Sequence, residues 1–220
     1  NPILLRIIVE VIREENDVPV GRAEIFKRFF HCWYKREEEK ANANGTKLKW
    51  SKNTALLALC ELAYVSVLRG RRLHSFEQIT GILERILGHE VNEFLLWTSQ
   101  SFILLKDIDT NNYGFWHEVI QEYFCAEYLV ERDQDINLLN EVGGNKSKPG
   151  KWSLPIAFAF ELSDKMCDEF ISTAWSLEPL ITAASIEPDS ALRLGLNSDN
   201  LWVHMVVGCL LNNNIDAHVR

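Results

Sequence analysis

The sequence predicts a mainly α-helical protein that contains one small β-hairpin. Apolar residues recur at the three- and four-residue spacing of amphipathic helices along most of the chain. The exception is residues 102–117, where two short extended runs flank a polar Asp-Thr-Asn-Asn turn, a pattern typical of a β-hairpin. The 220 residues are 47% hydrophobic and 25% charged, which is enough apolar material for one large or two small domains.

Residues 1–40 are predicted to form a helical subdomain of two antiparallel helices. Pro2 suits the first helical turn, because its missing N–H would have no partner within the helix there. After a turn that ends at Pro19, the same periodicity begins again. The apolar stripes of the two helices consist of Ile3, Leu4, Ile7, Ile8, Val11 and Ile12, and then of Ile25, Phe26, Phe29, Phe30 and Trp33.

The polar segment 35–50, KREEEKANANGTKLKW, has the composition of a mobile loop between subdomains. We place the linker itself at residues 41–52. A run of charge of this kind lies in solvent more often than at a binding site.

Residues 53–131 are predicted to form a winged-helix domain. Three helical segments come first, and the second begins with a capping-box pattern at Ser75 and Gln78. The hairpin and one further helix follow, and three helices with a hairpin are the elements of a winged helix. In many winged helices the third helix binds DNA. Here that helix carries Glu90 and Glu93 and no basic residue, which favours packing against protein.

The last part of the chain divides by composition. Residues 132–151 are rich in Gly, Ser, Pro and charge and are predicted to be a linker. Residues 152–220 alternate apolar helical stretches with polar breaks, which predicts an α-helical repeat-like region. Because the chain starts at Asn1 rather than Met and its last helix ends without a cap, we expect it to be a segment of a longer protein.

Charge and cysteine usage limit the partners and the compartment. The 31 acidic and 23 basic residues give a net charge of −8, which does not attract nucleic acid or an anionic membrane. No apolar run approaches the roughly 20 residues of a membrane-spanning helix, and the start lacks a signal-peptide pattern. The five cysteines stand singly, which favours a reduced, cytoplasmic compartment: Cys32, Cys60, Cys125, Cys167 and Cys209.

The chain is organised around residues 113–131, where a short strand is predicted to turn directly into a buried helix. The polar residues at this corner, His117, Glu118, Gln121 and Glu122, each need a partner in the fold or a ligand. A zinc site of the His-Glu-x-x-His type is disfavoured, because Gln121 stands at the second ligand position. No nucleophile elbow or phosphate-binding loop occurs, so we expect no catalytic residue, no metal site and no enzyme activity in this chain alone.

The corner helix carries a long pattern formed by Phe115, His117, Gln121, Glu122, Tyr123, Phe124, Ala126, Tyr128 and Leu129. This pattern resembles the winged-helix segment of NACHT-type signalling NTPases of the STAND class. The start of the chain is also similar to the helices that follow the nucleotide-binding domain in that family, through Asn1-Pro2-Ile3-Leu4-Leu5, Pro19 and Arg22-Ala23-Glu24-Ile25-Phe26. The resemblance covers about residues 1–131.

The resemblance implies a part in a nucleotide-dependent switch. In the family, a proline near the start of the first helix packs on the adenine, and the winged-helix histidine reaches the β-phosphate of bound ADP. These roles fall on Pro2 and His117. The phosphate-binding loop and the magnesium site would belong to an upstream nucleotide-binding domain, which holds ADP when closed and ATP when open. The family resemblance further implies an ATPase parent, homo-oligomerisation on activation, and signalling in defence or stress.

A second class of function is also open. The chain is then a stand-alone winged-helix and helical-repeat interaction module that binds no nucleotide. On that interpretation His117 only caps the corner and Pro2 only starts a helix. A phosphate-binding loop encoded upstream of Asn1 would distinguish the two.

Overall fold

The computed structural model describes residues 2–15, 22–131 and 152–163. The predicted fold class is confirmed, because these residues form a mainly helical structure with one two-stranded antiparallel sheet. The predicted linker 132–151 and the repeat-like region beyond residue 163 lie outside the described residues. The chain divides into two compact units, Asn1–Tyr128 and Leu129–Arg220.

Seven α-helices and two strands are described, with a short 3₁₀ turn at Gly88–Glu90. The helices are α1 Pro2–Glu15, α2 Arg22–Ala43, α3 Lys52–Arg69, α4 Phe76–Leu87, α5 Val91–Gln100, α6 Glu118–Glu131 and α7 Ser153–Leu162, and the strands are β1 Leu104–Lys106 and β2 Tyr113–Phe115.

Helices α1 and α2 pack against each other. Ile7 and Val11 of α1 are buried, and so are four aromatic residues of α2: Phe26, Phe29, Phe30 and Trp33. An ion pair between Glu10 and Arg36 joins the two helices. Trp33 of α2 also donates a hydrogen bond from Nε1 to the carbonyl oxygen of Ser101 at 3.2 Å, which ties the helical pair to the segment after α5.

The expectation of a mobile loop at residues 35–50 is wrong for its first half, because α2 continues to Ala43. Two pairs of opposite charge lie along this part of the helix, Lys35 with Glu39 at 3.9 Å and Lys40 with Glu37 at 2.7 Å. Such pairs, together with the high helix propensity of Lys, Glu and Ala, favour the helix over a solvated loop. The non-helical connection to α3 is confined to residues 44–51.

Residues 52–115 have the connectivity of a winged helix. A helix is followed by a single-residue bridge at His74, two helices and two strands, and His74 pairs with Tyr113 of β2. On its other side β2 pairs with β1, with Lys106 opposite Tyr113 and Leu104 opposite Phe115. The predicted capping box of α4 is present at Ser75 and Gln78. The two-stranded sheet is therefore extended beside β2 by a bridge of one residue.

The third helix of this domain, α5, is held from one side by aromatic residues. Trp97 packs on Trp33 of α2 and stacks on Trp50, with ring centroids 5.0 and 5.3 Å apart. Phe94 packs edge-on against Trp50. At the start of α5, Lys49 forms ion pairs with Glu90 and Glu93.

Helix α7 belongs to the second unit and buries Trp152, Phe158 and Ala159. Among the residues that the structure describes, no helix combines the length and the apolar character needed to cross a membrane.

Candidate functional site at the strand-to-helix corner

The corner between β2 and α6 is fixed by backbone pairing and aromatic packing. The backbone N–H of Trp116 donates to the carbonyl oxygen of Ile103 at 3.1 Å. Phe124 on the first turns of α6 lies against Phe115 of β2 and edge-on to Phe30 of α2. These contacts hold the corner between the helical pair and the sheet, so that its polar side chains start from an ordered backbone.

His117 is the N-cap of α6. Its carbonyl oxygen accepts from the backbone N–H groups of Ile120 and Gln121, at 3.1 and 3.3 Å. Its ring nitrogen Nδ1 accepts from the backbone N–H of Val119 at 3.2 Å, which satisfies a helix donor that would otherwise lack a partner. Since Nδ1 is the acceptor, the neutral ring carries its hydrogen on Nε2.

The Nε2–H group of His117 is a donor without a partner among the described residues. The ring is partly exposed, and among the described residues Nε2 forms no hydrogen bond. One side chain thus combines a structural acceptor with a donor that a ligand or another domain could use.

Arg72 joins the corner from the loop between α3 and α4, through an ion pair with Glu118 in the first turn of α6. Both side chains are largely exposed, so the pair contributes little to stability. Its effect is on charge, because it places a guanidinium beside the first turn of the helix. Arg72 is not among the site residues that the sequence predicts. The signal was the exposed run Arg69-Gly70-Arg71-Arg72 just before the bridge residue His74.

Glu122 is a carboxyl group in an unfavourable place for a charge. Its Oε2 atom is buried and has no hydrogen-bond partner among the described residues. The pKa of Glu122 is raised to about 7, first by burial and then by the charge of Glu118, while Arg72 opposes the shift. The group therefore exchanges a proton near neutral pH, unlike an ordinary surface glutamate.

The structure gives fewer contacts for the other two predicted site residues, Gln121 and Pro2. Gln121 is buried on α6, one turn after His117. Pro2 is the first residue of α1, and its side chain lies outside the described part of the molecule. The corner brings His117, Glu118 and Glu122 together on one short segment, while the pairing of Pro2 with His117 around a nucleotide stays a prediction.

His74, close to the corner in the sheet, has a structural role. The hydroxyl of Ser66 donates to the carbonyl oxygen of Leu62 at 2.6 Å, so it can only accept from Nε2 of His74, 2.9 Å away. Burial lowers the pKa of His74, and the charges of Arg69 and Arg71 lower it further. A neutral histidine thus joins α3 to strand β2.

The corner carries two kinds of donor, the Nε2–H of His117 and the guanidinium of Arg72, and one carboxyl whose pKa is raised to about 7. Across residues 2–15, 22–131 and 152–163, no group of three or more His, Cys, Asp or Glu side chains is arranged to hold a metal ion. Comparison of the chain with protein-family models and with curated proteins finds no match in either.

Proposed function

We propose that this chain is the C-terminal regulatory part of a NACHT-type STAND NTPase, a switch that couples its nucleotide state to oligomerisation. The sequence pattern of the corner helix supports the proposal. The observation that carries it is the geometry of His117, whose Nδ1 caps α6 and whose Nε2–H is left as a donor.

The cap gives the histidine the orientation that a nucleotide contact needs. The ring is held through Nδ1, so Nε2–H acts as a donor from a fixed position, and diphosphate oxygens accept strong hydrogen bonds from such groups. The bond forms only while the winged helix is closed on the nucleotide domain, and its loss favours the open state.

The other parts of the proposal follow from the same resemblance. An upstream nucleotide-binding domain of the parent binds ADP or ATP with magnesium and hydrolyses ATP, and Pro2 packs on the adenine. This chain contributes no catalytic residue. The activated parent assembles with further copies of itself in the cytoplasm, in defence or stress signalling.

The test uses His117 variants of the parent protein that contains the upstream domain. His117→Asn keeps a good N-cap but lacks the distant Nε2–H donor, whereas His117→Ala loses both. Losing the bond to the diphosphate costs about 1 to 3 kcal/mol. That corresponds to a loss of about 5- to 150-fold in preference for the closed state.

We expect both variants to release ADP faster and to oligomerise without a trigger. His117→Asn should keep the wild-type melting temperature, and His117→Ala should lose about 1 kcal/mol of stability with the cap. ADP release kinetics, size-exclusion chromatography and thermal unfolding measure the three properties. Wild-type ADP release by His117→Asn would show that the histidine is only a cap.

The alternative is an interaction module without nucleotide binding, in which capping α6 is the whole role of the histidine at the corner. Sequencing the coding region upstream of Asn1 separates the two. A phosphate-binding loop there supports the switch, and its absence supports the module.

A further inference from the structure

A cavity of about 430 Å³ opens in the first unit. Trp116, the residue before His117, forms part of its lining. Helices α1 and α2 form one wall, and the end of α5 and the start of the corner form the other. Its apolar lining consists of Ile7, Phe29, Phe102 and Trp116. Cavities of this size are typical of small-molecule sites.

Phe102, at the rim, occupies a backbone position that favours glycine. Its φ is +63°, and its N–H and that of Ile103 bond back to the carbonyl oxygens of Ser99 and Thr98, which is a Schellman ending of α5. The same ending closes α3, where Gly70 stands at the equivalent position with a φ of +61°. A bulky residue is strained there.

Burial of the Phe102 ring does not offset this strain, because the side chain is 67% exposed. Glycine would form the same turn with less strain, as it does at the end of α3. Strained residues of this kind are concentrated where a ligand is clamped. The aromatic ring of Phe102 is therefore best explained by what the cavity binds.

The polar side of the cavity is lined by Glu10, Arg36, Lys40 and Gln100, and each of the two cations is paired with a carboxylate. The carboxylate of Glu10 is held by Arg36, and Lys40 donates to Glu37 at 2.7 Å. A guanidinium has five N–H donors and an ammonium has three, so both cations keep donors for a further partner. This wall suits an anionic group.

We propose that this cavity binds a small planar aromatic acid, with its ring among the aromatic residues and its acid group at Arg36 and Lys40. The proposal is independent of the nucleotide switch, because the cavity uses neither Pro2 nor His117.

The test is calorimetric titration of the full 220-residue chain with 2-naphthoate, and with 2-naphthalenemethanol as the neutral analogue of equal ring size. We expect 2-naphthoate to bind with a dissociation constant below about 1 mM and about tenfold more tightly than the neutral analogue. Arg36→Gln and Lys40→Gln should each reduce that preference.

Phe102→Gly decides the role of the strained ring. It should weaken 2-naphthoate binding about tenfold while raising the melting temperature, because the strain is released as the aromatic wall is lost. Ile108→Ala is the matched control, since Ile108 is 91% exposed in the hairpin turn and does not line the cavity. It should leave binding unchanged.

Three results would overturn the proposal. They are the absence of saturable 2-naphthoate binding by the wild-type chain, equal affinity of wild type and Phe102→Gly, and a melting temperature of Phe102→Gly below that of wild type. The last would mean that the ring supports the fold.

Discussion

Glu122 shows how one side chain can make the stability of the fold depend on pH. Its pKa in the folded protein is about 7, against an ordinary value of 4.5. Because the folded value is the higher one, the stability that the neutral carboxyl contributes is complete below about pH 4.5 and is lost as the pH rises through 7. Above neutral pH the fold holds a buried charge whose Oε2 has no partner among the described residues.

We therefore predict that Glu122→Gln stabilises the protein at pH 8 relative to wild type by about 1 to 3 kcal/mol and has a much smaller effect at pH 5. The amide has the shape of the neutral acid and cannot ionise. Urea unfolding at the two pH values measures the difference. The control is Glu84→Gln, at an exposed position on α4. If the wild-type and Glu122→Gln proteins lose stability equally between pH 5 and pH 8, the carboxyl is not the cause.

The small sheet depends on a close approach of two backbone segments. A Cβ atom at Gly114 of β2 would lie 2.1 Å from the carbonyl oxygen of Arg72, which is far inside contact distance. The segment that carries Arg72 leads directly into the His74 bridge, so it can shift only by breaking that pairing. Glycine is required here by space rather than by backbone angles.

We predict that Gly114→Ala destabilises the protein by about 2 to 4 kcal/mol, because the clash is with backbone and no side-chain rotation relieves it. Gly81→Ala is the matched control. Gly81 lies within α4 with nothing near its missing Cβ, so alanine there should stabilise by about 0.5 to 1 kcal/mol. Thermal unfolding of both variants is the measurement. Equal and small shifts for the two would contradict the close approach.

The elements were predictable where periodicity and turn chemistry agree. The capping box at Ser75, the hairpin, and the strand that turns into α6 follow from such local signals. The extension of α2 to Ala43 did not follow, because its polar residues resemble a loop in composition while their spacing supports a helix. In this segment the pairing of charges three and four residues apart decides the structure, and composition does not.

The candidate site was predictable only in part, for a reason of distance along the chain. His117, Glu118 and Glu122 lie on one segment and could be identified together. Arg72 and Phe102 could not, since Arg72 is 46 residues from its partner Glu118 and the strain at Phe102 appears only in its backbone angles. Sequence patterns relate residues that are close along the chain. The residues around the corner and the cavity come from elements that are far apart in sequence, so the patterns do not group them.

At the scale of the whole molecule, the negative charge disfavours DNA binding, which is the function of many winged helices. The net charge is −8, and the third helix of the domain follows Glu90 and carries Glu93 in its first turn, with Lys49 as the shared partner of both. Trp97 of the same helix packs against Trp33 and Trp50. A DNA backbone would meet negative charge at the helix that would have to enter its groove.

We predict that the chain shows no sequence-dependent binding to duplex DNA below about 1 µM at moderate salt. Fluorescence anisotropy with random and genomic duplexes is the measurement. The double variant Glu90→Lys and Glu93→Lys is the informative comparison, because it reverses the charge of α5 without touching the buried aromatic residues. It should bind both kinds of duplex weakly, equally, and with strong dependence on salt, since added charge supplies phosphate attraction but no reading of bases. Tight binding of the wild-type chain to one duplex sequence would contradict this prediction. The winged helix would then be a DNA-recognition domain, and α5 would not be a protein-packing helix.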